Sequence, residues 1–189
     1  MKVGSKVVNS KMELRQLAET DPIAQNLLTR AFFEGDGFPK DPKKAFYYAC
    51  LGAEQKYSQS VLDLAYFYRK GIGCERDLLK AEQLYLEAER LGDDEAYNCL
   101  AEMYLYGMGP VKQDLLRGLD YVQKGIQSSY GMHSMLEVLG FSKEEFEFFY
   151  EQIKEGNIDG DELDELASIL LKDQPEEYRV YEPAGLYDK

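Results

Sequence analysis

Apolar positions along this chain fall in the rhythm of helices. Within residues 24–34, Ala24, Leu27, Leu28, Ala31 and Phe32 recur at intervals of three and four, which gathers them on one face of a helix. Residues 60–70 and 96–106 repeat that arrangement, and between them second helical segments run over about 42–54, 78–91 and 115–126. The period-two alternation of a half-buried strand is absent, so the pattern predicts an all-α fold. Ser10 and Glu13 have capping-box spacing ahead of Met12, Leu14, Leu17 and Ala18, a short apolar face suited to sealing the first helix pair. A second such spacing, Ser142 and Glu145, opens a helix to about Glu155 whose Phe146, Phe149, Tyr150 and Ile153 face inward. Residues 161–172 form a last helix with Leu163, Leu166, Ala167, Leu170 and Leu171 on its face.

The helices come in copies. Gly35-Asp-Gly37, Gly71-Ile-Gly73 and Gly107-Met-Gly109 stand 36 residues apart. Ala24, Ser60 and Ala96 keep the same step, as do Leu28, Leu64 and Leu100 and the aromatics Phe32, Tyr68 and Tyr104. After each glycine pair an acidic residue opens the next helix, at Asp41, Asp77 and, one residue late, Asp114; Lys44-Ala45, Lys80-Ala81 and Arg117-Gly118 follow. The third loop has gained a residue. The glycines are helix stops, since a left-handed cap suits a residue without Cβ, and Pro42 fits a first helical turn. They follow helices and lack a third glycine, so they are not a phosphate-binding fingerprint. Beyond residue 130 the register weakens. Either 132–139 is a fourth first helix, with Met132 and Leu136 in step, or Leu139-Gly140 takes the leucine position.

The combined pattern, Ala-x-x-x-Leu-x-x-x-aromatic-x-x-Gly-x-Gly and then Asp-x-x-Lys-Ala, resembles the Sel-one-like repeat family, relatives of tetratricopeptide repeats, over about three units in residues 24–130. Thr29, Ala65 and Ala101 stand where that family prefers glycine, and Tyr48, Leu84 and Tyr121 where it often has tryptophan. The resemblance implies an α-α solenoid, or superhelix, with a concave protein-binding surface. The expected organisation is a flexible N-terminus over 1–9, a repeat array with its capping helix over 10–140, acidic capping helices over 141–174 and an extended tail over 175–189. Matching the first helices to tetratricopeptide units puts Asn26, Arg30, Phe33, Glu34, Leu62, Tyr66, Arg69, Lys70, Asn98, Glu102, Leu105 and Tyr106 on the concave side. The aromatic residues there offer rigid contact area. A competing reading has Phe33, Leu62 and Leu105 packing against the added C-terminal helices.

Charge narrows the partner. The 189 residues carry 22 Lys plus Arg against 35 Asp plus Glu, a net of -13. Residues 142–189 hold 5 of the basic and 15 of the acidic residues, and so most of the imbalance. That balance opposes nucleic-acid binding, which needs phosphate neutralisation, and suits a partner that is basic. The first eleven residues lack a signal-peptide core, and no apolar run approaches the roughly 18 residues of a membrane span, so the expected setting is cytoplasmic, without a membrane partner. Cys50, Cys74 and Cys99, odd in number and widely spaced, make no disulfide framework and no CxxC site. They also depart from the cysteine pairs of a secreted repeat branch associated with beta-lactam binding or hydrolysis.

No catalytic set stands out. His133 is the single histidine, which removes the usual triads and zinc sets. Residues 155–166 imitate a calcium loop, with Glu155, Asn157, Asp159 and Asp161 at alternate positions and Gly160 sixth. Glu155 stands first, however, and Leu166 twelfth, where Asp and a bidentate Glu are required, so the segment reads as a turn capping the next helix. Of the 15 tyrosines, Tyr178, Tyr181 and Tyr187 lie in the tail with no periodic face, to dock it or to present a linear motif. The expected protein is a non-enzymatic, monomeric adaptor or scaffold, without cofactor or metal, that binds a protein or peptide. The alternatives are an immunity protein that neutralises a toxin or effector, a structural assembly component, and a beta-lactam hydrolase-like repeat protein.

Overall fold

The computed structural model describes residues 2–3, 6–7, 10–128, 136–137 and 139–172, with side chains over 10–128, 136–137 and 139–168. His133 and the tail tyrosines lie outside the described residues, as does most of the segment in which the fourth first helix was sought. Leu136 and Leu139, the two candidates for its leucine position, are both buried. The chain divides into two compact units, Met1–Asp93 and Asp94–Lys189.

The first unit holds β1 (Lys2–Val3), β2 (Lys6–Val7), α1 (Lys11–Leu17), α2 (Pro22–Glu34), α3 (Pro42–Glu54), α4 (Ser58–Lys70) and α5 (Leu78–Arg90). The antiparallel pair β1–β2, with Lys2 opposite Val7 and Val3 opposite Lys6, is a two-residue ribbon at the start of a fold that is all-α as expected; two residues per strand are too few to leave a period in the sequence. Helices α2 and α3 form one antiparallel pair and α4 and α5 the next, with α3 packed on α4 and α1 on α2. Ala24, Leu28, Ala31 and Phe32 from α2 join Leu14, Ala18, Ala45, Ala49, Leu64 and Phe67 in one core. Met12, expected on the apolar face of α1, is 70% exposed, so Leu14 and Ala18, with half-buried Leu17 packed beside them, carry the seal. Gly52 of α3 lets α4 approach closely: a Cβ there would lie 2.2 Å from Ser60 Oγ.

The second unit holds α6 (Glu95–Tyr106), α7 (Leu115–Gln127), α8 (Lys143–Glu155) and α9 (Gly160–Lys172). Helix α6 packs on α7 and on α9, and α7 packs on α8.

The helix caps follow the repeat. Asp41, Asp77 and Asp114 each accept, through Oδ1, the backbone N–H three residues on, at 3.0–3.1 Å. The same three aspartates donate their own N–H groups back across the loop, to the carbonyls of Phe32 (2.8 Å), Tyr68 (2.9 Å) and Tyr104 (2.8 Å). Behind each aspartate a cation lies over that aromatic ring: Lys44 over Phe32 at 5.4 Å, Lys80 over Tyr68 at 4.3 Å and Arg117 over Tyr104 at 4.0 Å. Tyr48 stacks on Phe32 and Tyr121 on Tyr104, each with ring centroids 5.8 Å apart. The 36-residue step is thus a step of closed helical hairpins.

Gly35 and Gly71 end their helices in the left-handed conformation, but Gly107 does so at φ 65° and ψ 130°, a correction to the expected left-handed cap. The extra residue of the third loop is the reason. Met108 and Val111 pair there through two backbone hydrogen bonds, 2.8 and 3.0 Å, and draw Gly107 out of the helical ψ range.

Both C-terminal helices begin on side-chain caps. Ser142 and Glu145 form a reciprocal capping box at 3.2 and 2.8 Å, and the donation from Ser142, its backbone N–H first and its side chain second, holds the Glu145 carboxyl below its usual range. Asp159 and Glu162 make the same exchange at 3.0 and 3.2 Å, so the calcium-like segment is the cap of α9.

Helix α8 turns Phe146 and Tyr150 inward, and the Tyr150 hydroxyl donates to Asp120 Oδ1 of α7 at 2.5 Å. Burial, reinforced by that bond, pushes the Tyr150 phenol up to about 12 from the ordinary 10. The folded state therefore favours the protonated form. The contribution is whole below pH 10 and is lost as pH rises from 10 through 12. The stability advantage of the wild type over Tyr150→Phe, measured by chemical denaturation, is expected to be constant from pH 7 to 9 and to vanish toward pH 12.

Candidate functional site

In the first unit the expected contact residues project from the first helix of each repeat. Arg30 and Glu34, one turn apart on α2, are exposed and form a loose ion pair at 3.8 Å. Such a pair contributes little to stability, so both groups can exchange it for another partner at small cost. Phe33 lies half-buried beside them and meets Tyr66 of α4 edge to face, centroids 6.2 Å apart. Tyr66 is 38% exposed, and Lys70 one turn further is half-buried. Two helices thus present one continuous aromatic edge with a cation and a carboxylate alongside.

Three expected residues of this unit lie beneath that surface. Asn26 is 6% exposed, and its Nδ2 donates to Asp63 Oδ2 at 2.6 Å, tying α2 to α4. Leu62 and Arg69 are 7% and 6% exposed. Their place in the list of contact residues is corrected to support, because a buried side chain has little surface to offer.

In the second unit Asn98 and Glu102 are half-buried on α6. Leu105 has no exposure and Tyr106 only 6%. Leu105 rests on Gly118 of α7, where a Cβ would come within 2.7 Å of its Cδ2. Helix α9 lies against α6 and brings the Ala167 carbonyl to 3.5 Å from Gln113 Nε2. Leu105 and Tyr106 are therefore corrected from contact to core. The neighbour shown for Leu105 is Gly118 of α7, inside the repeat, and not one of the added C-terminal helices of the competing reading.

A residue set that the sequence reading missed explains much of this. The residue before each capping aspartate reaches back over the glycine turn to the same repeat position. Lys40 puts its ammonium 5.7 Å from the centre of the Phe33 ring. Arg76 Nε donates to the Arg69 carbonyl at 3.0 Å, and Gln113 Nε2 to the Leu105 carbonyl at 2.8 Å. The signal was present, since Lys40, Arg76 and Gln113 keep the step of the aspartates, but three different side chains hide a shared task. Gln25 was missed for a similar reason. It is 2% exposed, donates to the Ala18 carbonyl at 3.0 Å and accepts from Gln55 at 2.8 Å, binding α1 to the array where the second repeat has Val61.

The remaining chemistry is quiet. Cys50, Cys74 and Cys99 form no disulfide. Burial pushes Cys74 up to about 11 and Cys50 upward as well, so neither is a ready thiolate near neutrality. Among the described residues no group of His, Cys, Asp and Glu is arranged to hold a metal, and no helix is long and apolar enough to cross a membrane.

Comparison with known proteins matches this geometry. Residues 22–57, 58–93 and 94–130 match, as three consecutive units, the family described as Sel1 repeat. No curated protein matches the chain. Among solved structures, a Sel1 repeat protein from Oxalobacter formigenes is 25% identical with a TM-score of 0.56, covering 61% of this chain and 34% of its own. A protective antigen present in uropathogenic Escherichia coli strains, displaying an SLR fold, is 21% identical with a TM-score of 0.59, covering 62% of this chain and 25% of its own. The chain thus spans about a third or less of the length of these relatives.

Proposed function

The chain belongs to the Sel1 repeat family, whose repeats commonly mediate protein–protein interaction, and on that premise we propose that it is a non-enzymatic adaptor that holds a protein or peptide on the first helices of its repeats. The observation that carries this reading is the edge-to-face pair of half-buried Phe33 and exposed Tyr66, flanked by Arg30, Glu34, Lys40 and Lys70. To that surface we assign Arg30, Phe33, Glu34, Tyr66 and Lys70 of the first unit, with Asn26, Leu62 and Arg69 supporting it from below. In the second unit we assign Asn98 and Glu102 of α6 as contact residues in their own right. A rigid aromatic edge that is already packed loses little side-chain entropy on binding, which suits it to an anchoring role. The acidic helices α8 and α9 support a narrower version, a neutraliser of a basic toxin or effector.

Affinity capture from native lysate with tagged protein, read by mass spectrometry beside an Arg30→Ala/Tyr66→Ala variant, is the test. Both residues are exposed, so the variant folds, which circular dichroism checks. One stoichiometric partner is expected, with affinity reduced at least tenfold in the variant. Equal capture by both forms would remove the binding site from this face.

A further inference from the structure

Helix α8 has two faces of opposite character. Phe146 and Tyr150 are buried, while Phe148, between them in sequence, is 68% exposed. Beside Phe148 lies a cleft of about 360 Å³, lined by Phe141, Phe149 and Ile158, with Glu145 and Gln152 at its edge. Its size falls within the roughly 300–1,000 Å³ of ligand clefts. Phe141 and Phe149 stack with centroids 5.1 Å apart and form an apolar wall.

The rim decides what can enter. At roughly 3.6 residues per turn, Glu144, Glu145, Glu151, Gln152 and Glu155 all lie within about 60° of Phe148 around the helix. Four carboxylates therefore surround the exposed ring. The cations of α8 are turned elsewhere: Lys143 pairs with Glu147 at 3.9 Å, and Lys154 lies over the Tyr150 ring at 5.0 Å. An anionic lipid surface is repelled by such a rim. A second copy of this chain, at a net charge of -13, meets it with the same sign. So does the chain's own segment 173–189, with five acidic and two basic residues. A basic segment gains from every rim group and shields none of its own apolar side chain from the cleft.

We infer that the Phe148 cleft of α8 docks a basic segment of a partner protein, which inserts one bulky apolar side chain against Phe141, Phe148 and Phe149 while its lysines and arginines meet Glu144, Glu145, Glu151 and Glu155. This surface is separate from the Phe33–Tyr66 face and stands whether or not that face binds. The carboxylates supply steering and sign discrimination, and the apolar insertion supplies the lasting contact.

The test uses the full chain and a fluorescein-labelled amphipathic helix of leucine and lysine, read by fluorescence anisotropy. Its counterparts replace lysine by glutamate or leucine by alanine. The leucine–lysine probe is expected to bind. The glutamate probe is expected not to bind, and the alanine probe to bind at least tenfold more weakly. Phe148→Ala is expected to weaken the leucine–lysine probe at least tenfold, with Phe148→Leu retaining most of the affinity and Tyr66→Ala all of it. Glu144→Gln/Glu151→Gln is expected to weaken it several-fold and flatten its salt dependence. Undiminished binding to Phe148→Ala would overturn the inference, since the acidic surface alone would then hold the probe. A dimer in sedimentation that Phe148→Ala dissolves would also overturn it, in favour of a second copy.

Discussion

Gly73→Ala is expected to destabilise the first unit by about 3 kcal/mol, and Gly37→Ala, at the same position of the preceding repeat, by only about 1 kcal/mol. Both glycines sit at φ +71°, so both substitutions incur the strain of a Cβ in the left-handed region. Only Gly73 is also crowded. A Cβ there would lie 2.2 Å from the Pro42 carbonyl oxygen and 2.9 Å from Phe46 Cβ, both in the helix of the repeat before it. At Gly37 the nearest atom is Lys11 Cε, 3.8 Å away at the end of a flexible chain. The backbone carbonyl cannot move without disturbing the start of α3, whereas a lysine tip can. Denaturant titration of the two variants measures the difference. Equal losses would mean that the turn conformation, and not the contact between repeats, sets the requirement for glycine.

Phe146→Ala and Phe148→Ala are expected to separate just as widely, though the two residues are neighbours but one. Phe146 has no exposure and meets Phe141 and Tyr150 at centroid distances of 6.1 and 6.0 Å. Its truncation leaves a cavity and is expected to cost the second unit about 3–5 kcal/mol. Phe148 is 68% exposed, and its truncation is expected to change stability by no more than about 0.5 kcal/mol. Thermal and denaturant unfolding of the two variants decide it. A large loss for Phe148→Ala would show that its ring is a packing element, and would also remove the reason to place a partner there.

The repeat was readable because its physics is local. Glycine at a helix stop, aspartate at a cap and small residues at Ala24, Ser60 and Ala96 each answer a nearby steric or hydrogen-bonding demand, so each recurs. Helix ends came out within two residues for the same reason. What escaped depends on groups distant in sequence. Asn26 looked like a contact residue because nothing near it announces Asp63, 37 residues on, to which it is bonded. Arg69 reads as a contact residue on the concave side, since a guanidinium is rarely buried; the Arg76 side chain that closes over its backbone belongs to the next loop. Leu105 and Tyr106 read as contact positions because nothing beside them announces their burial; for Leu105 the neighbour is Gly118 of α7, in the next helix. Phe148 stayed unremarked in a helix where aromatic residues stand at four positions, because periodicity marks the buried face and is silent about the one ring left over.

The hydrogen bond from each capping aspartate to the aromatic residue across its turn has a consequence for how this chain can be altered. In the third loop it spans one more residue than in the first two, yet its length is 2.8 Å, equal to that at Asp41 and within 0.1 Å of that at Asp77. The ends of the hairpin are clamped, the Met108–Val111 pairing absorbs the addition, and only Gly109 and Pro110 at the tip are exposed. Loop closure costs rise only slowly with length. A foreign segment spliced between Gly109 and Pro110 is therefore expected to leave the Asp114–Tyr104 clamp in place, with unchanged helix content by circular dichroism, which would make this tip a place to carry a reporter or an epitope.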